Sequence, residues 1–151
     1  MSVMIIPDSE NVARAVFSPR MIKDDEIQPE AFRLRPSIAG DNLSVMRMSF
    51  PSWIEDIKKI PQRKNRKLYG FAEMNVGDIR NIQLKDVEYD VKDCAQTGVQ
   101  SHAGIFISIN GERLVGGKSL ATIYSGIEQN FMLLAIQREL VDIAQQGLYT
   151  L

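Results

Sequence analysis

The chain contains one histidine, His102, within the run of small residues Ser101-His102-Ala103-Gly104. A free imidazole has a pKa of about 6.5, so it can accept or donate a proton near neutral pH. Small neighbours leave the ring accessible at the mouth of a predicted strand. We therefore predict that His102 is a catalytic acid or base. The alternative is a histidine that only hydrogen-bonds a neighbouring carbonyl group.

Three arginines are candidates for holding an anion beside His102. Arg47 lies in a strand predicted to be covered on both faces, where a guanidinium needs a carboxylate, a carbonyl or an anionic ligand. Arg14 and Arg33 can converge on the same ligand, because guanidinium groups bind phosphate or carboxylate through paired hydrogen bonds. A structural ion pair is the equal alternative for Arg47. The first hypothesis is thus a domain that binds or processes a phosphorylated or nucleotide-like molecule.

A basic segment, residues 58–67, carries six lysines and arginines in ten residues and no acidic residue. Such a patch can contact the phosphates of RNA or DNA. Only Trp53 and Tyr69 flank it, so base stacking has little support, and a solvated loop is the simpler interpretation. Nucleic-acid binding is therefore the least favoured of three hypotheses. Its contacts would come from Arg63, Lys64, Arg66 and Lys67.

The remaining polar residues argue against metals and cofactors. Asp86, Glu88, Asp90 and Asp93 are interpreted as a solvated strand edge, because no calcium-loop pattern surrounds them. Cys94 lacks the basic neighbours that would activate a thiol. One cysteine and one histidine make a zinc site implausible, and no phosphate-binding glycine loop is complete. We expect no metal and no cofactor, and the sequence leaves open whether the protein is an enzyme.

Length and composition are typical of one folded domain. The chain has 151 residues, of which 44 % are hydrophobic and 25 % are charged, with a formal net charge of −1. These values predict a single globular domain over residues 1–151. The small net charge gives no general attraction to nucleic acid or to an anionic membrane. Neither a signal-peptide pattern nor a long apolar stretch is present, so a cytoplasmic location is expected.

In the first third of the chain, a short strand is predicted at residues 3–6, a helix over about residues 8–17 and an irregular loop over residues 20–42. The helix is inferred from apolar residues at helical spacing, which are Val12, Ala15 and Val16. The loop is long for a compact domain, which is typical of a functional lid.

The middle of the chain predicts mainly strands. Residues 43–50 have apolar groups on both faces, which indicates a central strand. Ser52 and Glu55 have capping-box spacing at the start of a short helix. Further strands are predicted at residues 68–75, at the alternating residues 87–92 and at residues 105–109, and Gly77-Asp78 is predicted to be a turn.

Asn110-Gly111 predicts a two-residue hairpin turn. The turn would pair Ile109 with Glu112 and Ser108 with Arg113, and further pairs would extend to Leu114 and Val115.

The last element is a predicted long helix from Ser125 to about Gln146, followed by Gly147 as a terminating residue. Two apolar stripes give it a wide buried face, so it either covers the sheet or contacts a second subunit. The second hypothesis is therefore a non-catalytic interaction module, such as a homodimer formed through this helix.

Together these elements predict an α+β fold. The sheet is expected to be mixed or mainly antiparallel, because strands follow one another without long helices between them. A short N-terminal helix, one middle helix and the long C-terminal helix are expected to pack on it.

Several short segments, in this order, resemble a group of small uncharacterised bacterial proteins. The segments include RAVFSP at 14–19, EAFRLRP at 30–36, LSVMR at 43–47 and SHAGI at 101–105. The likeness extends over roughly residues 12–107 and leaves out the long C-terminal helix. It implies a bacterial origin and one intact domain, and it implies no activity.

Overall fold

The computed structural model describes residues 5–33, 42–95, 97–113 and 126–151. In that part of the chain the strands are β1 (Asn11–Ser18), β2 (Ile22–Lys23), β3 (Glu26–Ile27), β4 (Leu43–Arg47), β5 (Lys67–Asn75), β6 (Val87–Asp93), β7 (His102–Ile109), β8 (Glu112–Arg113) and β9 (Leu148–Thr150). The α-helices are α1 (Trp53–Lys58), α2 (Val76–Arg80) and α3 (Gly126–Gln146), and a 3-10 helix spans Pro29–Phe32.

The main sheet has the strand order β6-β7-β4-β1-β5-β9, with β8 also paired to β7. All of the described pairings are antiparallel, and β2 and β3 form a separate hairpin. The long helix α3 packs on β5 and on the 3-10 helix. The predicted α+β class, the mainly antiparallel sheet and the C-terminal helix are confirmed.

The sheet buries apolar side chains on both faces. The larger core includes Val12 and Val16 of β1 together with Ile136 and Leu140 of α3. A smaller core on the other face contains Ala13, Ala15, Phe17, Met46 and Ile57, with α1 above it. Because β1 contributes to both cores, it is the central strand about which the functional region is arranged.

The prediction of an N-terminal helix is wrong, since the residues involved form β1. Val12, Ala15 and Val16 have helical spacing, but all three are buried because both faces of the strand are covered. A strand buried on both faces loses the alternation of apolar and polar residues that would identify it. Of the predicted strand at residues 3–6, Ile5 and Ile6 are not in a strand, and the rest lies outside the described residues.

The predicted middle strands and the middle helix are confirmed, except that the strand predicted over residues 43–50 ends at Arg47. Two further local details differ. Ser52 precedes α1 without capping a backbone amide, and its Oγ donates to Asp56 Oδ2 at 3.1 Å instead. Gly77-Asp78 lies in α2 rather than in a turn, because Asn75 Oδ1 accepts from the Asp78 amide at 3.0 Å and caps that helix. The predicted loop contains β2, β3 and the 3-10 helix, and residues 34–41 lie outside the described part.

The Asn110-Gly111 hairpin is confirmed. Its two central residues have φ angles of 53° and 80°, as a type I′ turn requires. Ile109 pairs with Glu112, and Ser108 pairs with Arg113. The pairs predicted beyond Arg113 lie outside the described residues.

Helix α3 faces the sheet with Ile136, Leu140 and Ala144, which are fully buried. Its first turns differ, since Ile127 and Phe131 are 72 % and 69 % exposed. The predicted capping residue, Ser125, lies outside the described residues. None of the helices within the described ranges combines the length and apolarity needed to cross a bilayer.

The turn from α3 into β9 runs in close contact with β5. A Cβ atom at Gly147 would overlap the backbone carbonyl of Glu73, and one at Gly70 would overlap the carbonyl of Tyr149. Gly147 follows the last residue of α3, as predicted, and here its lack of a side chain allows β9 to reach the edge of β5.

Candidate functional site

A cleft of about 870 Å³ opens where β1 and β4 separate. Its walls come from the second half of β1, the 3-10 helix, the start of β4 and residues 59–66, and His102 of β7 lies at its floor. Residues distant in sequence therefore converge on one concave surface, which is the usual form of a small-molecule site.

The side chain of Arg14 occupies the gap between β1 and β4. The two strands pair at Val12 with Arg47 and at Ala13 with Met46, and the described pairing ends there. Arg14 Nη1 donates to the Ser44 carbonyl at 2.6 Å, while Nε and Nη2 donate to the Ala31 carbonyl at 3.0 and 2.7 Å. The guanidinium thus links β4 to the 3-10 helix in place of ladder hydrogen bonds.

His102 is held at both ring nitrogens. Nδ1 lies 2.9 Å from the Cys94 carbonyl oxygen, and Nε2 lies 3.1 Å from Ser44 Oγ. Because a carbonyl oxygen only accepts, Nδ1 carries the proton and Nε2 accepts from the Ser44 hydroxyl in the neutral ring. The carbonyl contact that was the alternative interpretation of His102 is therefore present, and it is accompanied by a serine hydroxyl.

The described residues lining the cleft include seven basic side chains and two acidic ones, Glu30 and Asp56. Arg63 and Arg66 exchange backbone hydrogen bonds of 2.9 and 3.0 Å, which fold residues 63–66 into a tight loop. The Arg66 guanidinium lies 4.1 Å from the centre of the Phe17 ring. The basic side chains are Arg14, Arg20, Arg33, Lys59, Arg63, Lys64 and Arg66.

Asp56 is a buried carboxylate beside the floor of the cleft. Its Oδ2 accepts from Ser101 Oγ at 2.6 Å and from Ser52 Oγ at 3.1 Å, and Lys59 Nζ lies 3.4 Å from Oδ1. Burial raises the pKa of Asp56, but these hydrogen bonds outweigh it and hold the pKa below its ordinary value. The charged carboxylate therefore ties α1 to the residue preceding His102.

The prediction that Arg47 holds the ligand is wrong, because Arg47 does not line the cleft. Its Nε and Nη2 donate to the two carboxylate oxygens of Glu10 at 2.7 and 2.8 Å, and Nη1 donates to Asp93 at 2.9 Å. By strand alternation it follows Leu43 and Val45 onto the face opposite His102. The structure therefore shows the alternative, a buried ion pair.

Most of the other predicted residues do reach the cleft. Arg33 lines it, with its guanidinium 4.0 Å from Glu30 and its side chain 60 % exposed. Arg63, Lys64 and Arg66 also line it, whereas Lys67 is outside, at the start of β5. Arg33 and this part of the basic segment therefore belong to the same surface.

The acidic edge and Cys94 have structural contacts. Asp90 accepts from Arg80 at 2.8 Å, so the predicted solvated edge is partly ion-paired. The Cys94 backbone carbonyl oxygen lies 2.9 Å from His102 Nδ1. No group of three or more His, Cys, Asp or Glu side chains that could hold a metal occurs among the residues the structure describes.

Sequence reasoning missed Ser44 and Asp56. A signal for Ser44 existed, because it is a polar residue within a strand predicted to be covered on both faces, as Arg47 is. Alternation separates the two, placing Ser44 with Met46 and Arg47 with Val45. Asp56 gave no comparable signal, since it precedes a run of basic residues and suggested only a solvated helix.

Comparison of the chain with profiles of protein families, with curated proteins and with solved structures found no match.

Proposed function

We propose that the protein binds a small phosphorylated or nucleotide-like molecule in the basic cleft. The observation that carries this proposal is the convergence of seven basic side chains, from separate parts of the chain, on one concave surface. Guanidinium groups match the geometry of phosphate oxygens, and a cleft lined by one sign of charge concentrates its field on a bound anion.

The charge of the cleft differs from the charge of the whole protein. The chain has a formal net charge of −1, yet basic side chains outnumber acidic ones seven to two among the described cleft residues. Asp56 is already engaged by Ser101, Ser52 and Lys59, so it is held within the wall. An anionic ligand would compensate the remaining positive charge.

The dimensions of the cleft suit a compact ligand. Its volume of about 870 Å³ lies within the range of roughly 300–1,000 Å³ that is usual for small-molecule sites. Apolar side chains, including Met21, Ile60 and Val99, line part of the wall and would contact a base or another apolar group. Phosphates would meet the arginines.

Long nucleic acid fits this surface less well than a small molecule. Arg63, Lys64 and Arg66 face a cleft rather than an open ridge, and Phe17, the aromatic residue that lines the described cleft, is only 3 % exposed. Single-strand binding normally uses exposed aromatic rings on which bases stack. A single-stranded oligonucleotide is therefore one of the ligands tested below.

The proposal is tested by calorimetry with nucleoside mono-, di- and triphosphates, sugar phosphates, inorganic phosphate and a single-stranded oligonucleotide, at low salt. The cleft variant is Arg63→Glu combined with Lys64→Glu. The control variant is Lys85→Glu combined with Arg138→Glu, which makes the same charge change at exposed positions outside the cleft.

We expect at least one small phosphorylated compound to bind and the cleft variant to bind it about tenfold or more weakly, a loss of about 1.4 kcal/mol. The control variant should retain wild-type affinity. Binding of the oligonucleotide alone would favour nucleic acid, and no binding by the wild type at low salt would reject the proposal.

A second candidate function, self-association through α3, is favoured by one observation. Ile127 and Phe131 lie one helical turn apart and are 72 % and 69 % exposed. Light scattering should show a concentration-dependent dimer that Phe131→Ser disrupts and that Ile5→Ser, at another exposed apolar residue, leaves intact. A wild type that stays monomeric at millimolar concentration would exclude this function.

A further inference from the structure

We infer that Ser44 and His102 form a nucleophile and base at the floor of the cleft, and that the ligand is a phosphoester whose phosphorus Ser44 attacks. This assignment rests on the proposed function, because the basic cleft must hold the ester over Ser44. It adds a reaction to that function, and it names a residue whose part in the site the sequence did not reveal.

The geometry of the pair matches that of an activated serine. Ser44 Oγ lies 3.1 Å from His102 Nε2, within the distance at which a base accepts a hydroxyl proton. The Cys94 carbonyl, 2.9 Å from Nδ1, holds the ring in the tautomer whose Nε2 is free to accept that proton. A nucleophile, a base and an orienting group are thus aligned, with a backbone carbonyl as the orienting group.

The base is fixed by its backbone as well as by its side chain. The Cys94 amide donates to the His102 carbonyl at 3.0 Å, and the His102 amide donates to the Val99 carbonyl at 3.2 Å. Strands β4 and β7 pair through Ser44 with Gly104 and through Met46 with His102, so the two side chains are diagonal neighbours. Rigid strands therefore hold the pair, as a reactive site requires.

The pair is nevertheless accessible from the cleft. His102 is 8 % exposed and Ser44 is half-buried, and both are among the residues that line the cavity. A hydroxyl that bonds an imidazole inside a closed core would serve packing alone. Here Ser44 and His102 both line a volume large enough for a substrate.

The charge around Ser44 favours phosphorus over a carboxylic ester as the electrophile. Arg14 Nη1 donates to the carbonyl of Ser44 itself, so a guanidinium lies beside the nucleophile. A phosphoester is anionic, and cations close to its oxygens stabilise the charge spread over the transferring group. A neutral carboxylic ester would gain little from the seven basic side chains.

The proposed reaction balances without an oxidant or a metal. The bond from Ser44 Oγ to phosphorus forms as the ester bond from phosphorus to the leaving oxygen breaks. The hydroxyl proton moves to His102 Nε2 and then to the leaving oxygen, which departs as an alcohol. Water next attacks the phosphoserine and gives a proton to His102, which returns it to Ser44 Oγ as the phosphate leaves.

The test uses diisopropyl fluorophosphate, an uncharged probe that phosphorylates activated serines with loss of fluoride. Intact mass and peptide mapping should show one adduct on Ser44 of the folded wild type. Ser44→Ala should abolish the adduct. The control Ser108→Ala removes another half-buried strand serine outside the cleft and should label like the wild type.

The role of His102 is tested by the rate of labelling. His102→Gln keeps a hydrogen-bonding side chain, and its fold is checked by circular dichroism. We expect labelling to slow by about 100-fold or more, which is the lower end of what a positioned base contributes. No adduct on the wild type, labelling of scattered serines, or an unchanged rate in a folded His102→Gln variant would overturn the assignment.

Failure of this assignment is distinguishable from failure of the proposed function. The probe carries no charge, so labelling of the wild type reports on Ser44 and His102 and does not depend on the affinity for the anionic ligand. Ser44→Ala should bind the phosphorylated compound and form no adduct. Ligand binding without a Ser44 adduct in the wild type would leave the binding function standing and remove the reaction.

Discussion

Arg47 and Arg14 lie on neighbouring strands and are used in opposite ways. Arg47 is enclosed by the carboxylates of Glu10 and Asp93, at the end where β1 and β4 are paired. Arg14 donates to two carbonyl oxygens, and beyond it the strands are separated. Where carboxylates neutralise an arginine, β1 and β4 stay paired. Where basic residues outnumber acidic ones, the two strands separate and the basic residues line the cleft.

The closed end is built from two arginines with acidic partners. Arg47 binds Glu10 through two parallel hydrogen bonds, an arrangement stronger than a single contact. Arg80 lies 2.7 Å from Asp8 and 2.8 Å from Asp90. These contacts join the residues before β1 to β4, α2 and β6. We call the ion pairs of Arg47 and Arg80 with their acidic partners the clamp.

The largest expected effect comes from breaking the clamp. Arg47→Met removes one partner of a buried ion pair and leaves Glu10 and Asp93 facing each other without a cation. We expect a loss of about 3–5 kcal/mol in the free energy of unfolding, measured with urea. Arg20→Met, at an exposed cleft residue, is the control and should change it by less than about 0.5 kcal/mol. Similar losses in both variants would contradict the comparison.

The next effect depends on pH. The hydrogen bond from Arg47 is the main cause that holds the pKa of Glu10 below its ordinary value. A carboxyl whose pKa is lower in the folded state stabilises the fold above its unfolded-state pKa, and this contribution is lost as the pH falls through the folded-state pKa. At neutral pH, Glu10→Gln should therefore cost about 2 kcal/mol. The gap between wild type and variant should close in acid, and urea unfolding at several pH values measures it. If the difference in the free energy of unfolding grew as the pH fell, Glu10 would not stabilise the fold through a lowered pKa.

A smaller effect on stability, with a large effect on binding, is expected at the open end. Arg14→Met leaves the Ala31 and Ser44 carbonyls without their guanidinium donor, but water in the cleft can replace part of the loss. We expect a decrease of about 1–2 kcal/mol in the free energy of unfolding. Affinity for the phosphorylated compound, measured by calorimetry, should fall at least as far as in the Arg63 and Lys64 variant. Full affinity in Arg14→Met would remove Arg14 from the ligand site.

The smallest effect on stability is expected at the rim of the cleft. Arg63→Glu alters an exposed side chain with no ion pair in the described part of the chain, so the free energy of unfolding should change by less than about 0.5 kcal/mol. Ligand affinity should nevertheless fall, and added salt should reduce the difference between wild type and variant, since exposed charges are screened. A large loss of stability would mean that the rim also supports the fold.

Much of the fold was predictable, because most strands either have one face exposed to solvent or adjoin a clear turn sequence. Val87, Tyr89 and Val91 alternate with polar residues, and Asn110-Gly111 fixes a hairpin by its φ angles. Strand β1 was not predictable by the same means, since both of its faces are buried. Its pairing with β5, whose residues are 49 to 64 positions away along the chain, determines its structure in place of local preference.

The candidate site was predictable in composition and less so in geometry. His102, Arg14, Arg33 and the basic segment were identified by residue type, and the structure brings them to one cleft. The exclusion of Arg47 depends on Glu10 and Asp93, which are 37 and 46 residues from it in sequence. No local pattern reveals such partners. Ser44 shares a strand with Arg47, and only the register with β7 shows that it meets His102.

The two glycines at the junction of β5 and β9 have a consequence for association between molecules. Gly70 and Gly147 allow the backbone of β9 to lie against β5, where it satisfies hydrogen-bonding groups that would otherwise face solvent. A methyl group at either position would push β9 away and leave β5 as an exposed edge strand. The unpaired backbone groups of such a strand are a template for pairing with another chain. Alanine at position 70 or 147 should therefore raise the tendency of the protein to aggregate at this edge, measured by light scattering against the wild type.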